Sequence, residues 1–479
     1  MRKIYLLIII ALQISLETST AQQNLTLFLM HDVPQANFVN PAVSYKCKWI
    51  VGFPALASVH ANYNNSAFSL NEALQYDSGT DSTYFNFDEV IGGLNNTEIV
   101  ASTVHYTPLY GGFWLKDNWI TLSVSEKVTT FNTVPKEAAE LAWYGNTPFV
   151  GRTASLNGIR FNGYHYREYS LGLARDVSER LTLGVHAKML FGKGSAYTPK
   201  TNGSLRTNPN NFGLLADLTT DVHTSFPIQI ETDEEGYVDN IELQDDVDWM
   251  DYMMNRKNLG VAFDLGFIYR FDEKTTFSGS ILNLGMIGWK TNLNTFSSDG
   301  TFALRGVDFE DDLNGGDYKQ ELLDSLKRQF YPVPDANSFT TRLTPEMYLG
   351  ATHNLNNHLN AGAIFYSRIL RNKLMPAFTL SANTYDYKVL NASLSYTAIN
   401  GDYFNIGAGL GVKMGAFHLH AAADNLFGFL KVENQRNLNL RFGLSIVPGC
   451  GEPREKKQTS KNGISALPCY HSPYRGEKE

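Results

Sequence analysis

Apolar residues occupy every second position in many long stretches of the chain. From Leu259 to Phe271 each odd-numbered residue is apolar, and the even-numbered ones include Asp264 and Arg270. The stretch from Leu181 to Phe191 follows the same pattern. Because side chains along a β-strand point alternately to its two faces, this period predicts strands with one apolar and one polar face.

Two kinds of all-β fold fit such strands. In a soluble sandwich the apolar faces form a core, whereas in a transmembrane barrel they meet lipid and the polar faces line the lumen. The stretches 181–191 and 259–271 are 11 and 13 residues long. A membrane strand needs about 9–11 residues, and a soluble strand has about 5–6. The length therefore favours a transmembrane antiparallel β-barrel.

The connections give an independent test, because membrane barrels join their strands by short turns at one end and long loops at the other. Short connections such as 176–180 alternate with longer ones at 192–258, 290–345 and 369–376. We therefore predict a barrel of about 14 strands over residues 49–447. The strands are expected at residues 49–62, 99–107, 119–129, 166–175, 181–191, 259–271, 276–289, 346–354, 359–368, 377–385, 388–399, 403–414, 416–424 and 437–447. Aromatic residues near strand ends, among them Trp119 and Trp289, fit interfacial girdles.

The first 21 residues have the composition of a secretory signal peptide. Arg2 and Lys3 precede the apolar run Ile4–Leu12, and Ser19–Ala21 forms a small-residue cleavage site. The apolar run is too short for a membrane-spanning helix. Residues 1–21 are therefore expected to direct export and to be removed.

The two ends of the exported chain lie outside the predicted barrel. Residues 22–48 either fold into the lumen as a hatch or form a periplasmic strap. Residues 448–479 are polar and are expected to form a flexible periplasmic tail. Cys47 stands alone, and Cys450 and Cys469 either pair with each other or are two free thiols.

Composition narrows the function classes. The chain has 48 acidic and 40 basic residues, a net charge of −8, so it carries no basic footprint for nucleic acid. Charged residues make up only 18%, below the roughly 25% of soluble domains. No nucleophile elbow, HExxH motif or phosphate loop occurs, and we expect no enzymatic activity.

Polar residues on the strand faces that look into the lumen are candidate ligand contacts. His418 and His420 lie two apart on one strand, and Asp264, Arg270 and Arg441 occupy polar positions of others. The histidine pair either binds a metal ion or relays protons, or it simply lines a wet lumen.

An acidic segment offers a candidate cation site. Residues 231–251 contain ten carboxylates and no Lys or Arg. Asp245, Asp246, Asp248 and Asp251 are candidate ligands for Ca²⁺, which prefers carboxylate and carbonyl oxygens. The alternative is a solvated acidic loop outside the barrel. No other cofactor is expected.

Several segments of the sequence resemble segments of a known protein family. The segment HDVPQANFVNPA and the following CKWIVGFPALASVHANYNNSAFSLNEAL resemble an uncharacterised family of Bacteroidota outer-membrane barrels. Asn40, Pro41 and Ala42 are similar to the NPA element of FadL-type fatty-acid transporters and of the PorV barrel of type IX secretion. The resemblance implies a 14-stranded barrel with an N-terminal hatch, to which this tripeptide belongs.

Pattern and resemblance together predict an outer-membrane barrel surrounded by lipid that passes or binds a small hydrophobic compound. The alternative is a structural barrel whose loops and tail dock to secretion or cell-surface machinery. An apolar cavity of fatty-acid size inside the barrel favours the first interpretation, and a packed or fully wet interior favours the second.

Overall fold

The fold is taken from a computed structural model. It describes residues 24–210, 213–304, 329–333, 337–370, 373–385, 389–399, 402–430, 433 and 435–448. The signal peptide predicted at 1–21 lies outside the described residues, and so does the tail predicted at 448–479 except for Pro448.

Fourteen antiparallel strands form a closed barrel, which confirms the predicted fold class. Closure is direct, because Val59 of the first strand pairs with Tyr106 of the second and with Phe442 of the last. The strands are β1 (Trp49–Gly52 and Ser58–Asn65), β2 (Thr97–Leu115), β3 (Asn118–Pro135), β4 (Arg160–Asp176), β5 (Leu181–Tyr197), β6 (Asn258–Arg270), β7 (Thr275–Trp289), β8 (Phe339–Arg342 and Glu346–Asn354), β9 (Leu359–Leu370), β10 (Lys373–Thr384), β11 (Leu390–Ile399), β12 (Asp402–Met414), β13 (Phe417–Ala423) and β14 (Asn437–Ile446).

The apolar rows face outward and the polar rows face the lumen. On β6 the side chains of Leu259, Val261 and Phe263 are about half exposed, whereas Asp264 is 1% exposed. An exterior covered by large apolar side chains is the surface that a barrel presents to lipid. Trp119 and Trp289 are 1% and 0% exposed, so the prediction that these two belong to an outer girdle is wrong.

The two ends of the barrel differ. Turns of two to five residues, such as 116–117 and 177–180, join strands at one end, which we call the short-turn end; the long connections lie at the other end. β1 begins and β14 ends at the short-turn end, since Trp49 pairs with Phe113 and Val51 with Ile446. Across the described ranges, no helix is long and apolar enough to span a membrane.

The long connections contain more regular structure than the sequence pattern indicates. The segment 192–258, expected to be a loop, continues β5 to Tyr197, adds further strands to the sheet of the barrel and contains a separate two-stranded sheet. The connection expected at 369–376 is shorter, because β9 ends at Leu370 and β10 begins at Lys373. The extra strands are Leu74–Asp77, Ser82–Phe85, Thr153–Ser155, Thr201–Thr207, Leu214–Ser225, Ile228–Thr232, Val238–Leu243, Leu293–Leu304 and Tyr331–Pro332. The helices are α1 (Leu25–Phe28), α2 (Leu70–Ala73), α3 (Phe87–Gly93), α4 (Lys136–Tyr144), α5 (Trp249–Met254) and α6 (Phe427–Leu430), with 3₁₀ turns at Pro34–Phe38 and Thr147–Phe149.

One cysteine differs from its prediction. Cys47, expected to stand alone, is buried and disulfide-bonded. Cys450 and Cys469 themselves lie outside the described residues.

Candidate functional site

The segment before the first strand lies inside the barrel. Residues 24–43, called the arm below, run through the lumen as α1 and the 3₁₀ turn Pro34–Phe38. Leu25, Phe28 and Val33 are 0% exposed. Apolar side chains of this size are buried only when the wall encloses them, so the arm fills the lumen at this height.

The start of the arm is held by one side of the wall. The Asp424 carboxylate, just beyond β13, accepts hydrogen bonds from the backbone N–H groups of Leu25 at 3.1 Å and Thr26 at 2.8 Å. The hydroxyl of Thr26 lies 2.8 Å from that of Ser395 on β11. These contacts satisfy N–H groups at the first turn of α1, which no helical carbonyl can reach.

The middle of the arm is held by the opposite side. The side-chain amide of Asn37 donates to the carbonyls of Pro41 and Val43 within the arm, at 3.3 and 2.8 Å. These two bonds orient the Asn37 amide so that its Oδ1 lies 3.1 Å from Nε2 of His186 on β5. The Ser280 hydroxyl on β7 donates to the Val39 carbonyl at 2.6 Å. The arm therefore bridges strands from opposite parts of the barrel.

The predicted hatch residues Asn40, Pro41 and Ala42 lie against β5 and β6. The Asn40 amide donates to the Phe267 carbonyl at 3.3 Å, and its Oδ1 accepts from the Ala42 N–H at 3.0 Å. A Cβ on Gly184 would lie 2.2 Å from the Pro41 carbonyl carbon. The backbones of arm and wall thus touch at a position that admits glycine alone.

The wall under the arm is apolar. Phe28 stacks on Tyr348 with ring centroids 5.0 Å apart and planes 11° apart. The wall residues that pack in this cluster are Ala101, Phe131, Ile268, Leu282, Tyr348, Ile364, Tyr366, Met375, Ala377, Ile399 and Ala422.

A cluster of buried charges lies on β3 to β6. Lys127 pairs with Glu168 at 2.8 Å, and Lys188 pairs with Asp264 at 2.6 Å and with Glu168 at 3.7 Å. The Nδ1 of His186 lies 3.1 Å from Asp264. Since His186 also contacts Asn37 through its other nitrogen, the cluster is connected to the arm.

A small cavity of about 70 Å³ lies beside the arm. Its charged lining consists of Lys127, Lys188, Arg368 and Arg441 with the carboxylate of Glu346. Polar groups such as His60, His105 and Tyr166 complete the wall. The cavity is far smaller than a small-molecule site, so the lumen is packed while the arm is in place. Its lining holds more cationic than anionic groups, of which Lys127 and Lys188 are paired with Glu168 and Asp264.

The lumen candidates occupy three separate places. The first place is the charge cluster together with the adjoining cavity, which share Lys127 and Lys188. Asp264 belongs to the cluster, and Arg441 lines the cavity, where it donates to Asn24 Oδ1 at 2.6 Å and to the Ser58 hydroxyl at 3.0 Å. The second place is the short-turn end. Arg270 is half-buried at the short-turn end and donates to the Thr182 hydroxyl at 3.2 Å.

The third place is the wall of β13, near the end of the arm. His418 and His420 are 1% exposed there, and the ring of Tyr45 lies 6.1 Å from that of His418. Burial, reinforced by Asp32, raises the pKa of Tyr45, so its phenol is neutral. Asp32 forms an ion pair with Lys46 at 3.4 Å.

The candidate calcium ligands lie outside the barrel. The Asp248 carboxylate caps α5 by accepting from the N–H groups of Met250 and Asp251, at 2.8 and 3.2 Å. Within the described residues no group of three or more His, Cys, Asp or Glu is placed to hold a metal ion. Calcium binding by Asp245, Asp246, Asp248 and Asp251 stays a prediction.

Sequence reasoning missed most partners in the charge cluster and the cavity. Lys127, Glu168, Glu346 and Arg368 were not singled out, although each lies on a buried, inward-facing strand position. The available signal was a charged residue on the polar face of a strand long enough to span a membrane. Such residues are costly unless they are paired or functional.

Comparison with solved structures returns barrels of low identity. The toluene transporter TbuX of Ralstonia pickettii is 10% identical, with 86% of this chain and 92% of that chain covered and a TM-score of 0.36. A FadL homologue of Pseudomonas aeruginosa is 11% identical, with coverages of 88% and 95% and a TM-score of 0.36. The translocator domain of autotransporter NalP from Neisseria meningitidis is 8% identical, with coverages of 83% and 87% and a TM-score of 0.28.

Comparison with curated protein sequences gives no match. A family model does match: its description is "Family of unknown function (DUF5723)", and it covers residues 41–424. This range includes Pro41 and Ala42 of the arm and extends through β13 to Asp424. The Bacteroidota source and the likeness to PorV remain predictions. Because the match spans most of the barrel, the chain belongs to the DUF5723 family.

Proposed function

We propose that the protein is an outer-membrane channel whose resting state is closed by the arm, and that a small compound passes when the arm leaves the lumen. The observation that carries this proposal is the position of residues 24–43, buried inside the barrel and hydrogen-bonded to opposite walls. A barrel with an unobstructed lumen conducts without a trigger, whereas this one needs a conformational change.

The lining of the lumen indicates the class of compound. When the arm leaves, it uncovers the apolar wall around Ile268, Tyr348 and Ile364. Beside that wall lies the cavity with Lys127 and Arg441. We infer that the compound has an apolar body and a negatively charged group. This inference narrows the class of small hydrophobic compound that the sequence predicts.

Deleting residues 24–43 is expected to open the channel. The deletion leaves every barrel strand intact and removes the apolar segment that fills the lumen. Single-channel recordings in planar bilayers should show stable open conductance for the deletion variant and rare or no openings for the intact protein. Equal conductance in the two proteins would contradict a closing role of the arm.

The class of compound is tested separately on the variant without residues 24–43, because the cavity of the intact protein is too small for a ten-carbon chain. Decanoate combines a ten-carbon chain with a carboxylate, and decanol has the same chain without the charge. Calorimetric titration should show tighter binding of decanoate, because the cavity lining is mainly cationic. Equal affinity for both compounds would assign the site to the apolar chain alone, and binding of neither would remove this class of ligand.

A second candidate is the docking of a partner at the long-loop end. Tyr76, Trp249 and Met250 of the connections outside the barrel are 64%, 55% and 69% exposed, and exposed apolar groups often mark interaction surfaces. Two results together would favour this function over conduction. A pull-down would have to yield a stable stoichiometric complex, and the variant without residues 24–43 would have to show no open conductance.

A further inference from the structure

Two histidines of the lumen wall differ from the other buried histidines. His418 and His420 are almost fully buried. Neither ring nitrogen of His418 has a hydrogen-bond partner among the described residues, and His420 interacts only with the backbone of Gly443, the residue across from it on β14. A neutral imidazole always has one N–H donor and one acceptor nitrogen. Buried groups of this kind are normally satisfied by protein, water or an ion, so this pair requires an explanation.

The histidines on the other wall strands have partners, whereas Nε2 of His31 in the arm has none among the described residues. The His60 ring contacts the Asn439 amide at 3.2 Å, and the His105 ring contacts the Thr107 hydroxyl at 3.2 Å. His186 is bound at both nitrogens. Among the wall histidines, missing partners are therefore confined to β13.

The spacing of the pair suits chelation. Residues two apart on a strand point to the same face, with Cα atoms about 6.6 Å apart. Two imidazoles at that separation can both reach one ion at metal–nitrogen distances of about 2.0–2.1 Å. Neutral imidazole is a preferred ligand of Zn²⁺, Cu²⁺ and Ni²⁺, and not of Ca²⁺ or Mg²⁺.

The arm supplies a third ligand atom. The Gln35 amide donates to Ser445 Oγ at 2.7 Å and to the Ala57 carbonyl at 3.3 Å. Ser445 lies directly across from His418 in the strand register. The Oε1 of Gln35 is buried and has no hydrogen-bond partner in the described part of the chain. The Gln35 side chain therefore reaches the residue across from His418, and its oxygen is unsatisfied where the arm crosses β13 and β14.

Charged groups of both signs surround the pair, and the cationic ones act more strongly on it, so binding of an ion relies on the imidazole nitrogens and not on the surrounding charge. Asp32 of the arm lies within electrostatic range of His418, and Lys413 on β12 opposes it. Arg441 lies further along β14 and acts on His420. The carboxylate is nearest to the outer histidine, where a divalent ion would enter from the short-turn end.

We propose that His418, His420 and Gln35 form a binding site for a divalent transition-metal ion between the arm and the wall of the barrel. Water molecules complete the coordination shell of the ion. The site stands whether or not the barrel conducts a compound, and it is distinct from the acidic segment 231–251.

Copper titration of the purified full-length protein tests the site. After treatment with a chelator, the protein is titrated with Cu²⁺ and followed by electron paramagnetic resonance. The intact protein should bind one ion with hyperfine coupling to two imidazole nitrogens, and one equivalent of Zn²⁺ should compete for it. The double variant His418→Asn, His420→Asn should weaken this binding by about 100-fold or more.

Matched variants exclude loss of folding as the cause of weaker copper binding. His353→Asn, His358→Asn removes two exposed histidines and should leave the copper spectrum unchanged. The single variant His420→Asn should reduce the coupling from two nitrogens to one, while heat-modified mobility on a gel confirms the folded barrel. Identical copper stoichiometry and spectra in the intact protein and the double variant would overturn the proposal, as would an intact protein that binds no copper.

Discussion

Replacing Asp264 with alanine is expected to lower the free energy of unfolding by about 3–5 kcal/mol, the cost of removing one partner of a buried ion pair. Asp264 Oδ2 accepts from Lys188 at 2.6 Å and from His186 at 3.1 Å. Its Oδ1 accepts from the Asn283 N–H at 2.8 Å. The variant leaves these donors buried without their acceptor. Urea unfolding of the barrel in detergent micelles measures the loss.

A double variant separates the contribution of the paired charges to stability from the contribution of side-chain packing. Asp264→Leu combined with Lys188→Met replaces the pair by apolar groups of similar size, and it should be less destabilising than the sum of the two single changes. A change below about 0.5 kcal/mol for Asp264→Ala, the range typical of neutral surface positions, would show that this cluster does not stabilise the barrel.

Replacing Asp424 with alanine is expected to release the start of the arm. The carboxylate accepts two backbone N–H groups, at Leu25 and Thr26, and each buried donor left without a partner costs about 1–3 kcal/mol. The arm should therefore leave the wall more often, and limited proteolysis should cleave within residues 24–43 faster than in the intact protein.

Asp424→Asn is the matched control for this prediction. It keeps one acceptor oxygen at nearly the same position, so its cleavage rate should lie between those of the intact protein and Asp424→Ala. If all three proteins were cleaved at the same rate, Asp424 would not anchor the arm, and the hydrogen bonds to Leu25 and Thr26 would be irrelevant to closure.

The barrel could be predicted because its signal is local. Alternation along β6 identifies the outward Leu259 and the inward Asp264 without knowledge of any neighbouring strand. The extension of β5 to Tyr197 was missed because the apolar row on odd positions ends at Phe191, with Lys193 and Ser195 next, while Gly192 and Gly194 lie between them. In the structure Gly192 gives space to Trp289, and Gly194 to Phe226, so the reason for both glycines lies in residues distant in sequence.

The candidate site could be predicted only in part, because its partners meet through strand register. Asp264 was found on a polar face, but its contact with Lys188 depends on the pairing of β5 with β6. The choice between hatch and strap depends on space inside the lumen. That space is created by wall glycines such as Gly184 and Gly409, where a Cβ would meet Pro41 or Met30.

The position of the arm is the central claim, and a cysteine cross-link tests it most directly. The hydroxyls of Thr26 and Ser395 are 2.8 Å apart, so cysteines at these two positions have the separation that a disulfide requires. Mild oxidation of folded Thr26→Cys, Ser395→Cys protein in native membranes should join the two residues in most molecules, as identified by peptide mass spectrometry. Thr26→Cys with Ser298→Cys, a buried serine outside the barrel, is the control and should not cross-link. A yield for Thr26 and Ser395 no higher than that of the control would contradict an arm held inside the lumen.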